Sequence, residues 1–233
     1  MDTEFERNLL IWLSKSEEFK KSWLARILTD NKLAELYGNY ICNHPKELKC
    51  RTELSKIYLK QKRYKEAEKV LLECLQLKAT DLNSRTELGR VYLEQKRYKE
   101  AEKVLLECLQ LKATDLNSRT ELGRVFQRMG RYKDAEDVLL NLLAIDKRNY
   151  FAMAELISVY DKMQDPDKCL QKFNEFLANV KISKGREHQA MFNNIFKLCK
   201  RYSYPEKAKE YFEKYKEILD ERNKELYQSL FGE

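Results

Sequence analysis

Residues 51–118 contain one 34-residue segment written twice. The copies 51–84 and 85–118 differ at four places: Ser55 against Gly89, Lys56 against Arg90, Ile57 against Val91, and Lys60 against Glu94. A third copy starts at Arg119 and drifts after Val125. A fixed period of this size means that a small supersecondary module is stacked on itself, because one module cannot bury its apolar face alone. Each module then contacts only its neighbours, so whole copies can be added without disturbing the rest.

The content of one copy follows from its apolar spacing. Leu88, Val91 and Tyr92 share a face at helical periodicity. A turn is expected over 94–97. A second helical stripe then runs through Tyr98, Ala101, Leu105, Cys108 and Leu109 and ends near Lys112. Asp115 or Ser118 caps the next helix, and Ser118 with Glu121 has capping-box spacing. The module is therefore a helix–turn–helix. Only six Gly and three Pro in 233 residues suit long helices with few tight turns.

These residues resemble the tetratricopeptide repeat, a 34-residue helix–turn–helix with Leu-Gly-x-x-Tyr in its first helix and small residues in its second. Leu88, Gly89, Tyr92, Ala101 and Cys108 fill those places. So do Leu122, Gly123, Phe126 and Ala135 in the following copy, and Leu54, Tyr58, Ala67 and Cys74 in the preceding one. Gly130 stands at the turn of the third copy, where Lys62 and Lys96 replace glycine in the first two. If that turn needs positive φ, each lysine costs about 1 kcal/mol. Ala79 and Ala113 replace the usual terminal proline. The resemblance implies an all-α, right-handed solenoid of such repeats with terminal capping helices.

The register extends beyond 51–149. The expected organisation is a capping helix over 1–13, a degenerate repeat over 14–47, and three clear repeats over 48–149. Degenerate repeats follow over 150–183 and 189–222, and a C-terminal cap over 223–233. Thr3 with Glu6 and the stripe Phe5, Leu9, Trp12, Leu13 mark the first cap, with Trp23 and Ile27 beneath it. Pro45 ends a repeat, and Asp165-Pro166 and Pro205 begin helices. The best loop is KISKGRE, 181–187. Leu226, Tyr227, Leu230 and Phe231 form the last apolar stripe.

Several function classes lose ground on the same residues. No apolar run approaches the ~20 residues of a membrane span. The start, MDTEFERNLL, is acidic and unlike a signal peptide, so a soluble cytoplasmic protein is expected. Cys74 and Cys108 occupy one repeat position inside an apolar run and read as small buried residues. Cys42, His44 and Cys50 lack the paired spacing of a zinc site. The two histidines, His44 and His188, lie in no catalytic motif, and there is no phosphate-binding loop. Carboxylates such as Glu66 and Glu100 are expected to pair with Lys69 and Lys103 at helical spacing. Neither enzyme activity, cofactor nor metal is expected.

The resemblance implies that the first helix of each repeat lines a concave ligand-holding face. That face would present Thr52 and Lys56, then Asn83, Thr86 and Arg90, then Asn117, Thr120 and Arg124, with Arg128 a turn further on. Asn193, Lys197, Lys200 and Arg201 are the matching residues of the last repeat. Such a ladder of cations suits an acidic protein segment through charge-assisted hydrogen bonds. The competing account is local: Glu53, Glu87 and Glu121 each lie three residues before a rung and can neutralise it within the helix. A chaperone-type carboxylate clamp is not expected, because it wants Asn directly after the first-helix Gly, where Arg90 and Arg124 stand. The expected role is a non-catalytic scaffold or adaptor for a protein or peptide partner. RNA binding is the main alternative, weakened by the lack of groove aromatics for base stacking. A regulatory subunit of a separate enzyme is the second, with self-association through the end helices possible.

Overall fold

The computed structural model describes residues 30–183 and 185–232. Among them are twelve α-helices. In order these are α1 (Asp30–Asn43), α2 (Leu48–Lys60), α3 (Tyr64–Leu77), α4 (Leu82–Glu94), α5 (Tyr98–Leu111) and α6 (Leu116–Arg128). Then come α7 (Tyr132–Ile145), α8 (Tyr150–Lys162), α9 (Pro166–Asn179), α10 (Arg186–Arg201), α11 (Pro205–Tyr215) and α12 (Glu221–Phe231). The fold is an all-α helical-repeat solenoid. The expected cap over 1–13, and Trp23 and Ile27, lie outside the described residues.

The chain divides into two compact units, 1–121 and 122–233. In the first, α1 to α5 pack successively on one another. Its core is small and aliphatic: Ala67, Leu71 and Cys74 of α3, and Ala101, Leu105 and Cys108 of α5, are fully buried. The small residues let the helices approach closely. A Cβ at Gly89 would come within 2.8 Å of Leu105. Arg51 pairs with Glu73 at 2.6 Å, and Arg85 makes the same pair with Glu107 in the next copy.

The second unit is held differently. Phe173 meets Phe192 and Tyr211 edge-on, at ring-centroid distances of 5.4 and 5.0 Å. Tyr227 of α12 stacks on Phe212 at 3.9 Å, so the C-terminal helix covers α10 and α11 with aromatic surface. Such pairs contribute about 0.5–1.5 kcal/mol each beyond the area they bury.

The turns repeat with the sequence. Lys62, Lys96, Gly130, Gln164 and Ser203 have φ of 60°, 62°, 75°, 58° and 59°. Each ends a first helix in the left-handed conformation. The backbone N–H of Arg63 then reaches Tyr58 O at 2.8 Å, and that of Lys62 reaches Leu59 O at 3.0 Å. These two bonds satisfy the terminal carbonyls in the Schellman manner. The residue after the turn closes it: Arg63, Arg97 and Arg131 lie over the rings of Tyr58, Tyr92 and Phe126 at 4.4, 4.2 and 4.3 Å.

Helix starts resolve the capping alternatives. Asp81 and Asp115 accept from Ser84 N and Ser118 N, both at 2.9 Å. Ser118 is not the cap; it is buried within α6. Asp165 caps α9 ahead of Pro166. The loop before α10 is shorter than 181–187, since α10 already begins at Arg186.

Candidate functional site: the inner-helix face

The first helix of each hairpin carries the predicted ligand face. In the first unit its cations sit between carboxylates. Lys56 lies 2.9 Å from Glu53 of its own helix and 3.8 Å from Glu87 of the next repeat. Arg90 repeats the pattern, 3.2 Å from Glu87 and 3.3 Å from Glu121. Burial alone would lower the pKa of Arg90, but the Glu87 and Glu121 carboxylates outweigh it and raise it. In the second unit Arg124 lies 3.4 Å from Glu155. The ladder is therefore one of alternating charge. The glutamate three residues before Lys56 and the one before Arg90 pair within the helix, as their spacing allowed. Glu87, Glu121 and Glu155 also tie neighbouring repeats, which a single-helix reading does not show.

The threonines are structural. Thr52 and Thr86 are buried and donate to Leu48 O and Leu82 O at 3.0 and 2.9 Å. Thr86 Oγ1 also meets Ser118 Oγ at 2.8 Å, and Thr52 Oγ1 meets Ser84 Oγ at 3.4 Å. Their hydroxyls thus join successive inner helices instead of facing a ligand. Thr120 is half-buried and bonds Leu116 O at 2.9 Å. By contrast Asn83, Asn117 and Arg128 are exposed. Lys200 donates to Leu230 O at 2.7 Å, fastening the end of α12.

A true recess lies in the second unit between α8 and α10. It has a volume of about 190 Å³ and is lined by Ser158, Asp161, Asn194, Lys197 and Arg201 among others. Arg201 is ion-paired with Asp161. Lys197 is exposed and makes no ion pair among the described residues. The reason is a substitution at one rung: Asn194 stands where Glu53, Glu87, Glu121 and Glu155 stand in the other repeats. Loss of that carboxylate releases the cation. Ser158, Asp161 and Asn194 were not among the predicted residues, although the repeat register places Ser158 with Arg124 and Asn194 with Glu155. A second recess, of about 590 Å³, takes in Asn193 with Arg186 and Arg222 between α10 and α12.

Cys50 and Cys169 are buried, and burial pushes their thiols up to about 11 and about 12. His44 stacks on Tyr40 at 4.1 Å. Among the described residues no cluster of three His, Cys, Asp or Glu could hold a metal ion, and no helix is long and apolar enough to cross a membrane.

Stacked helical hairpins closed by left-handed turns define a helical-repeat protein. The family model of the tetratricopeptide repeat matches 58–115 and 92–159, so the chain carries tetratricopeptide repeats over that stretch. Solved structures share the fold. A tetratricopeptide repeat protein from Parabacteroides merdae is 15% identical over 85% of this chain and 77% of its own, with a TM-score of 0.65. PilF of Pseudomonas aeruginosa is 18% identical over 97% and 96%, with a TM-score of 0.64. A putative kinesin light chain from Podosopora anserina, with nearly identical repeats of this kind, is 20% identical over 75% and 96%, with a TM-score of 0.61. No curated protein matches the sequence. Repeats of this family mediate protein–protein interaction.

Proposed function

We propose that the chain is a non-catalytic scaffold that holds an acidic segment of a partner protein against its inner helices. The observation that carries this is Lys197, a cation freed by Asn194 and set in a recess beside Ser158 and Arg201. A carboxylate entering there gains a charge-assisted hydrogen bond without displacing a native partner. The Asn194 amide beside it can bond a peptide backbone. In the first unit the rungs at Lys56 and Arg90 already have carboxylates, so they add register and selectivity more than affinity. The exposed Asn83, Asn117 and Arg128 offer further polar contacts.

The test is fluorescence anisotropy with a labelled Asp/Glu-rich peptide, its Lys-substituted counterpart and a random single-stranded RNA. The acidic peptide binds best, and Lys197→Ala weakens it about tenfold, the size of one lost charge-assisted bond. Lys56→Ala/Arg90→Ala/Arg124→Ala weakens it less. Equal binding of both peptides sinks the reading. Tight RNA binding with a steep salt dependence replaces it with nucleic-acid recognition.

A further inference from the structure

The outer helices of the first unit carry a second surface. On α3, Lys65, Lys69, Leu72 and Gln76 fall on one stripe at helical spacing, and Lys99, Lys103, Leu106 and Gln110 repeat it on α5. Leu72 and Leu106 are each 41% exposed, and Leu77 and Leu111 add 49% and 48% at the helix ends. The fold does not require leucine there: the same register holds Asn174 on α9 and Glu213 on α11, both exposed.

The charges on this face do not cancel. Glu66 and Glu100 pair with Arg63 and Arg97, not with Lys69 and Lys103 as the helical spacing suggested. Glu68 pairs with Arg97, and Glu73 with Arg51. The arginines neutralise the carboxylates and leave the four stripe lysines without an ion pair among the described residues. On α3 the stripe lines a shallow depression of about 490 Å³, with Lys65, Lys69 and Leu72 among its residues. Exposed leucines flanked by unpaired lysines match the leucine stripe and carboxylates of an acidic amphipathic helix.

We infer that this outer face docks a second partner element, an acidic amphipathic helix whose leucines seat against Leu72 and Leu106 while its carboxylates meet Lys65, Lys69, Lys99 and Lys103. Mode and surface both differ from the inner-face site. The probe is a labelled helix of about 21 residues with leucine at heptad positions a and d and glutamate beside them. Wild-type protein binds it, and Leu72→Glu/Leu106→Glu weakens binding at least about tenfold by adding repulsion and removing apolar area. Substituting the four lysines by Gln weakens it and flattens its salt dependence. Lys56→Ala/Arg90→Ala/Arg124→Ala and Lys197→Ala leave it unchanged, which separates this surface from the inner one. Unchanged circular dichroism melting confirms that the surface variants fold. The inference is overturned if the helix does not bind, if Leu72→Glu/Leu106→Glu binds like wild type, or if only phosphatidylserine vesicles respond to the lysine variants.

Discussion

Replacing Lys96 by glycine should make the protein more stable. Lys96 sits at φ 62°, and Lys62 at φ 60°. An L-residue there pays about 1–2 kcal/mol for crowding its Cβ against the backbone. Glycine escapes that cost but loses about 0.5–1 kcal/mol more backbone entropy on folding. The net gain is about 0.5–1 kcal/mol per site. Neither lysine has an ion pair among the described residues, and both side chains are exposed, so nothing else is lost. The turn bonds, Lys96 N to Leu93 O at 3.0 Å and Arg97 N to Tyr92 O at 2.8 Å, use main-chain atoms and persist in glycine. With a urea dependence of roughly 2 kcal/mol per molar, each substitution raises the midpoint by about 0.3–0.5 M with unchanged slope. Lys62→Gly/Lys96→Gly should approach the sum, since the two turns share no partner. Gly130, at φ 75°, supplies the reverse experiment, and Gly130→Lys should lower the midpoint by a similar amount. A midpoint that stays put in Lys96→Gly while Gly130→Lys also costs nothing would refute the strain argument.

Four other outcomes follow from the packing. Native protein should expose one thiol to Ellman's reagent, Cys42, because the other five cysteines are buried; denatured protein should expose six. The folded pKa of Cys169, about 12, lies above the ~8.5 of an unfolded thiol, so this group's contribution is intact below about pH 8.5 and is lost as pH rises towards 12. Thermal melts at stepped alkaline pH should show it, and Cys169→Ala should remove part of the slope. Arg90→Ala should cost about 1 kcal/mol, because its side chain is 38% exposed while those of its partners Glu87 and Glu121 are only 12% and 11% exposed. Recovery in Arg90→Ala/Glu87→Gln/Glu121→Gln, read by urea midpoint, would assign that cost to the stranded carboxylates. Phe173→Ala, which removes a fully buried ring touching Phe192 and Tyr211, should cost about 3–5 kcal/mol.

The hairpins were legible because the 34-residue period repeats every decision at once: apolar stripe, small residue, turn. The left-handed turn was visible through Gly130 alone, and its lysine counterparts took their conformation from register. The site was less legible. Spacing cannot tell whether a threonine on the inner helix faces solvent or the neighbouring repeat; Thr52 and Thr86 face the neighbour because the serine one repeat later offers a buried hydroxyl. Pairing was misjudged for a related reason. Lys69 is three residues from Glu66, but Arg63 is equally near on the other side, and its forked guanidinium wins the carboxylate at 3.0 Å. Lys197 stood out only once Asn194 was aligned with the rung glutamates.

The matched hydroxyl seams, Thr52 with Ser84 and Thr86 with Ser118, have a cost during folding. Because 51–84 and 85–118 offer nearly the same docking edge, a growing stack can skip a copy and loop it out before the correct one arrives. Little in the chemistry discriminates the two registers beyond the four substitutions, of which Ser55 against Gly89 is buried and therefore the most telling. Duplication that makes a scaffold easy to lengthen also makes it slow to find its place.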